Sequence, residues 1–498
     1  MIRFQAGLTL LAALCCSALL TAQTAELAAR SRAASQAMEA GQFDEAARIY
    51  RDLLQTVPDE PGLLLNLGMA LAMGGREAEA IAPLQKAVAL NPRLIPAQLF
   101  LGSSYLARGE AAKAIAPLER VVAAQPSDVE SRRMLAQAYS ATGRTADAVS
   151  QLRRITELTP RSPAAWHALG HAYNLLTQDA MSTFDDRAED APWRQLLLAD
   201  ALFADGRLTD AFAIYRSTLE QLPTMVSIHD SIAHIYEQTG HADWSKVERG
   251  RSVLTAAQCA KRKALCQFRA ERHRAALVEA LKGSDAESRY WRARAATALA
   301  LAAFKRLDAL PDSRERREVR ATLAIGQRRY LDAIAELQQA LKFAPGDPGL
   351  LDDLGTSYYS AKDYDQALAT LAPLVQGSHG DARLLTVYGD SLLQLQRVDE
   401  ALAALRRAVE INPSYAMARL TLGRAHAQKG EHAAAIPLIE SQLSQDHDGS
   451  LHVQLARSYM SVGQKEKAAA LLERSQEIQR AAQERSAAAG QRTITPPK

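Results

Sequence analysis

At 498 residues the chain exceeds what one ordinary hydrophobic core supports, so it is a set of domains or a repeat array. Ala, Leu, Arg, Gln and Glu dominate and aromatics are only 5%, a composition suited to many short helices. A formal net charge of +3 excludes polyelectrolyte character for the molecule as a whole.

The first residues carry a targeting pattern. "MIRF" supplies one arginine, "AGLTLLAALCCSALL" is an uncharged apolar run, and "TAQTA" offers small residues for cleavage. This is the anatomy of a secretory signal peptide over 1–22, with cleavage expected after Ala22. The alternative is an uncleaved anchor, which would leave the protein membrane-associated. Cys15 and Cys16 invite a lipoprotein reading, but Leu14 precedes Cys15 where a small residue is wanted. No later segment is apolar for long enough to span a bilayer. The protein is therefore expected to be exported, periplasmic or extracellular, without a stable span once the signal is removed.

From residue 27 a 34-residue period takes over. Pro58, Pro92, Pro126 and Pro160 fall in line, and seventeen residues before each stands Gly41, Gly75, Gly109 or Gly143. Five residues after each glycine is an alanine: Ala46, Ala80, Ala114 and Ala148. Leu67-Gly68, Leu101-Gly102 and Leu135-Ala136 recur at one offset, followed by Leu71, Tyr105 and Tyr139. Apolar positions spaced by three and four predict two amphipathic helices per period. Glycine between them accepts the left-handed conformation that ends the first helix, and proline stops the second. One such hairpin cannot bury its own apolar face, so neighbours must stack.

The pattern then gains a signature. "WHALGHAY", Trp166 to Tyr173, reproduces W-x2-L-G-x2-Y, and the chain resembles a tetratricopeptide repeat (TPR) protein, of the exported bacterial kind, over nearly its whole length past the leader. The resemblance implies an all-α fold, a right-handed superhelix of about 12 helix hairpins. Four repeats fill the N-terminal block 27–162. Next, 163–259 is expected to hold one lengthened helix over 164–185, where no turn glycine appears, and two repeats marked by Gly206, Ala211, Tyr236 and Gly240. A degenerate helical segment follows over 260–313. In it "YWRARAATALALAAFKRLDALP" echoes "AAWHALGHAYNLLTQDAMSTFDD", Trp291 answering Trp166, as though a larger block had been duplicated. Regular repeats return over 314–482. Residues 483–498 lack an apolar face, end near Pro-Pro and are expected to be a disordered tail.

Chemistry-bearing residues are sparse. Cys259 and Cys266 are too far apart for a bridge if both lie on one straight helix, about 10 Å by rise alone. With Cys259 in the loop before the next helix, an oxidising compartment favours a structural disulfide over two buried thiols. His167 and His171 share a helix face, yet no third ligand is apparent, so no metal and no cofactor is expected. Between 246 and 329 there are 21 Lys and Arg against 9 Asp and Glu, a net of +12 that leaves the rest of the chain at −9. That stretch reads as a docking face for an acidic partner or as a solvated helix face. Nucleic acid is not expected, because stacking aromatics are not interleaved with the charge.

In the TPR family the first helix of each repeat lines a concave groove that grips protein or peptide partners. Carried over by register, the groove would include Leu65, Met69, Met73, Leu99, Ser103, Arg133 and Gln137 early, and Arg383, Asp390, Met417, Leu420 and Arg424 late. The Lys/Asn/Arg clamp with which some TPR domains hold a peptide carboxylate is not reproduced, since Asn66 lacks its basic companions. The expectation is an exported, noncatalytic scaffold that binds partners through its concave surface. The alternative is an enzyme or carbohydrate-handling accessory with its site in the irregular 163–191 or 260–313 segments, where no triad, paired carboxylates or phosphate loop is seen.

Overall fold

The computed structural model describes residues 25–184, 190–377, 380–490 and 492–497. The expected signal segment 1–22, with Cys15 and Cys16, lies outside the described residues. Among the described residues there are helices and no strands. The architecture is an α-solenoid of antiparallel helix pairs. Two compact units are distinguished: one runs to Gln178 and takes in Leu299–Ala303, the other comprises Asp179–Ala298 and the chain from Phe304 onward.

The first unit shows how the period makes the pair. After a helix at 25–39 come Phe43–Thr56, Pro61–Met73 with Glu77–Leu90, Ile95–Ala107 with Ala111–Ala124, and Val129–Ala141 with Thr145–Leu158. Gly75 takes φ +73° at the turn, a conformation in which an L side chain is strained. Ala46, Ala80, Ala114 and Ala148 are all fully buried, so only a methyl group separates the paired helices there. Gly68 brings the helices closest: a Cβ on it would lie 2.4 Å from the Leu84 side chain. The second helices end at Thr56, Leu90, Ala124 and Leu158, one residue before the residue that precedes each proline. Those preceding residues are extended or nearly so, as a following proline demands. From the second marker on, each proline carbonyl accepts a hydrogen bond from the fourth residue of the next repeat: from Gln98 at 3.1 Å, Arg132 at 2.9 Å and Trp166 at 2.9 Å. The signature tryptophan thus works as a nitrogen donor that other repeats replace with Gln or Arg.

The lengthened helix is Pro163–Ser182. In the second unit Ala191–Ala204 pairs with Leu208–Gln221 and Val226–Gln238 with Ala242–Arg251. The segment expected to be degenerate over 260–313 begins with a further helix pair. Its first helix is broken at Arg262 into Ala256–Lys261 and Lys263–Arg269, and its second is His273–Ala280. Glu271 holds the left-handed turn at φ +58°, and five residues on Ala276 is fully buried, as the alanines of the regular repeats are. The long helix Ala286–Asp308 follows. Trp291 does not mimic Trp166: its ring is buried, and its indole donates to Glu287 at 3.3 Å. Regular pairs then run from Arg314–Gly326 to a last pair, Ser450–Ser461 with Lys465–Gly490.

The expected disorder over 483–498 is corrected for the described residues 483–490 and 492–497. Ala, Glu, Arg and Gln carry the last helix through Gly490, in keeping with their helix propensity. Beyond it residues 492–497 return to the second unit rather than standing free, with Ile494 packed against an aromatic-rich core cluster.

Candidate functional site

In the first unit the early strip does not form one uniform face. Leu65 is buried in the core cluster, Met69 is partly buried against it, and Met73 is 50% exposed. Leu65 is therefore a packing residue and not a groove residue: buried positions run from Leu64 to Leu71, and the helix opens only at its end. Leu99 and Ser103 are half-buried; Arg133 and Gln137 stand further out, with Arg133 held to Glu130. His167 and His171 approach to 3.0 Å between ring nitrogens. Among the described residues no group of three metal-ligating side chains gathers anywhere.

In the second unit three of the late groove residues are tied to the neighbouring repeat. Arg383 pairs with Asp352, and Asp390 accepts from the Tyr359 hydroxyl. Arg424 reaches Gln454 at 3.4 Å. Each link joins residues 30 or 31 apart, so the first helices of successive repeats are laced together along one face. Burial and the neighbouring Asp390 carboxylate push the Tyr359 hydroxyl well above its ordinary pKa, so it stays a donor. Met417 is exposed, whereas Leu420 is buried in a core cluster and is likewise corrected from groove to packing.

The concavity with most chemical variety lies where sequence reasoning placed none of these residues. A groove of about 520 Å³ opens along Val226–Gln238, whose Ser227, Asp230, Ser231 and His234 share one helix face. Its other walls are Arg249, Phe268, Arg269, Glu271, His273, Trp291 and Arg294. Phe268 lies 5.3 Å from Trp291 and 4.8 Å from His273, and the Arg294 guanidinium stands 5.1 Å over the Phe268 ring. Arg269 is fixed by Asp230 at 2.9 Å and by the Ser252 carbonyl at 2.6 Å. Beneath, Asp200 accepts from Tyr215 at 2.6 Å and Tyr290 at 2.9 Å and pairs with Arg294 at 2.5 Å. Burial draws the Arg294 pKa down, but Asp200 and the tyrosines more than offset it, so the cation persists. Burial also lifts Tyr290 well above the usual phenol range.

Two polar atoms of this groove are left without a hydrogen-bond partner, Ser227 Oγ and His273 Nδ1. An unsatisfied buried polar atom costs about 1–3 kcal/mol, which a polar ligand recovers once the side chain turns toward the groove. The same fact speaks against nucleophilic use of Ser227, since no base lies in reach of its hydroxyl to activate it.

Cys259 and Cys266 are joined in a disulfide close to this groove in the chain. The break at Arg262 brings their Cα atoms to 5.6 Å, where a straight helix would hold them about 10 Å apart. Cys259 sits in the short helix Ala256–Lys261 rather than in a loop. The basic stretch is largely neutralised within the fold. Arg262 pairs with Glu287, Arg289 with Asp190, Arg314 with Asp347 and Arg317 with Asp312 and Glu336. What the sequence shows as a run of positive charge is, in good part, the bracing of the middle helices.

Tetratricopeptide repeat models match residues 32–94, 105–172, 318–382, 353–416, 386–446 and 449–481, leaving 173–317 unmatched. No curated protein matches the chain. Among solved structures, MamA is 27% identical over 28% of this chain and 82% of its own, with a TM-score of 0.27. MamA 41-end from Desulfovibrio magneticus is 23% identical over 30% and 84%, with a TM-score of 0.29. A thermophilic TPR protein in Thermus thermophilus is 23% identical over 36% and 98%, again with a TM-score of 0.29. No helix among the described residues is long and apolar enough to cross a membrane.

Proposed function

This chain belongs to the tetratricopeptide repeat family, and from that premise we propose that it is an exported, noncatalytic scaffold gripping protein or peptide partners, with a role in envelope assembly or secretion. Export is supported by the charged, apolar and small-residue order of 1–22. The grip is assigned to the first-helix faces, above all to the groove along Val226–Gln238. The observation that carries this is the groove's wall of aromatic rings and anchored arginines, behind which Ser227 Oγ and His273 Nδ1 are buried without partners. Such a site suits a peptide, whose amides offer donors and acceptors and whose side chains cover the rings. Exposed Met73 offers a softer, adaptable contact in the first unit.

The test is site-specific photo-crosslinking in cells, with the crosslinker at His234, at Met73 and at Leu331, the last 76% exposed on a second helix. Discrete envelope-protein adducts at His234 or Met73 but not at Leu331 are expected. Equal labelling at Leu331, or adducts at neither groove position, overturns the assignment. Fractionation of the same cells checks export, and a wholly cytoplasmic product removes that part.

A further inference from the structure

The tail contact has a specific origin in the repeat pattern. In several pairs the tyrosine near the end of the first helix shares a hydrogen bond with a residue about twenty earlier, on the preceding second helix. Gln85 donates to Tyr105 at 2.6 Å, Tyr139 to Glu119 at 2.6 Å, Gln338 to Tyr358 at 2.8 Å, and Tyr459 to Glu440 at 3.1 Å. Tyr236 holds the same place, and twenty residues earlier stands Arg216. An arginine offers no lone pair, so the Tyr236 proton needs another acceptor. It finds the Thr495 carbonyl, 2.6 Å away and 259 residues later in the chain.

The rest of the tail is held in kind. Arg492 lies 3.3 Å from Asp210, and Ile494 packs on the core cluster that contains Phe212 and Tyr236. Tyr236 is surrounded by rings: Phe212 at 5.6 Å, Trp244 at 5.4 Å and His241 at 6.5 Å. Residues 492–497 have no helical structure and end in Pro496-Pro497. A ring-lined crevice, a phenol donating to a backbone carbonyl, an apolar seat and a carboxylate form the chemistry by which an extended peptide is read. This crevice is separate from the groove along 227–234, and its argument does not rest on that groove.

We propose that the crevice between Leu208–Gln221 and Tyr236 is a second peptide site, for an extended segment with arginine two residues before isoleucine and a free backbone carbonyl one residue after it. The chain's own residues 492–497 are its tethered occupant, which a partner segment of the same chemistry displaces. A tethered ligand acts at an effective concentration of millimolar order, so the tail excludes weak competitors and yields to strong or multivalent ones.

The test uses the full chain, as wild type and as Ile494→Asp, with a fluorescein-labelled synthetic peptide of residues 491–498 followed by anisotropy. Burying a charge unseats the tail, so the variant is expected to bind the peptide at least about tenfold more tightly than wild type does. Adding Tyr236→Phe, which keeps the ring and removes the donor, should weaken that binding about three- to tenfold at unchanged helicity. Adding Arg216→Glu instead should weaken it likewise, because the glutamate restores the acceptor that Glu119 provides to Tyr139. Equal peptide binding by wild type and Ile494→Asp overturns the proposal, as does no binding by a variant whose tail amides exchange freely. A wild-type dimer that Ile494→Asp dissolves would assign the tail to a second copy and overturn occupancy within one chain.

Discussion

The pairs at 95–158 and the stretch at 191–308 solve the same packing problem by different means. In the first, small residues set the spacing: Gly102 admits Leu118, Ala114 and Ala148 are fully buried, and glycine makes each turn. Stability there comes from many equivalent apolar contacts, which leaves the outer positions free to vary. In the second, the turn at Glu271 lacks glycine, the first helix of that pair is broken, and the core holds Trp291, Tyr290, Tyr215 and Tyr236. A part-buried ion pair and a disulfide stand where methyl groups and leucines stand elsewhere. The difference teaches that a solenoid can lose its register locally and keep its stacking, provided directional bonds replace the lost interlock. Those directional bonds also bring polar groups into the groove wall, and this is where the unsatisfied Ser227 and His273 atoms are found.

Breaking the polar replacement should have the largest effect. Asp200→Ala leaves Arg294 facing two phenols with no carboxylate, and removing one member of such a pair is expected to cost about 3 kcal/mol. Urea unfolding followed by Tyr and Trp fluorescence reads it. A loss under about 1 kcal/mol would mean that solvent, not the network, satisfies Arg294. The disulfide comes next. Cys259→Ala with Cys266→Ala should lower the stability of the middle pairs by about 2–3 kcal/mol, the entropy of an eight-residue loop. Hydrogen exchange should accelerate over 263–280 and leave the pairs at 95–158 unchanged. Uniform acceleration along the chain would show that the middle is not a separate cooperative unit.

A third experiment asks where packing ends and surface begins in the regular part. Met69→Glu places a charge against the core and is expected to cost about 2 kcal/mol. Met73→Glu, one turn later and half exposed, should stay within about 0.5 kcal/mol of wild type. Similar losses at both positions would return Met73 to the core, and melting of the two single variants by circular dichroism decides it.

How far the sequence spoke follows the same division. The Gly, Ala and Pro positions were legible because each meets a constraint that few residues satisfy: a left-handed turn, a one-methyl gap, a helix stop. Leu65 and Leu420 were misplaced because register assigns a face, while depth depends on what the neighbouring pair presents. The pair over 256–280 was hidden because Glu271 occupies a conformation that usually announces itself as glycine, although Ala276 five residues on was an available sign. The groove around Ser227 was illegible for that reason, since Phe268, Arg269, Glu271 and His273 of its wall come from the hidden pair. The docked tail depends on one exchanged residue, Arg216, whose meaning appears only when the tyrosine bonds of the other repeats are compared.

The smallest effect sharpens the comparison at the turns themselves. Arg328, Lys362 and Gln396 share with Glu271 the positive φ that glycine adopts in the regular pairs, with Lys362 at +65°. An L residue loses roughly 1–2 kcal/mol there, while glycine loses about 0.5–1 kcal/mol more chain entropy on folding. The difference favours glycine slightly, so Lys362→Gly is expected to stabilise by about 0.5–1 kcal/mol. The reciprocal change isolates the conformational part, because at Gly143, φ +72°, a Cβ would meet nothing within 4 Å. Gly143→Lys should therefore destabilise by about the same amount with no clash to confuse it. Denaturant titration of both variants at fixed temperature measures the two shifts. Opposite signs of similar size would show that turn strain is local and interchangeable between the units. A destabilised Lys362→Gly would mean that its side chain makes contacts outweighing the backbone strain, and that non-glycine turns are held by their own neighbours.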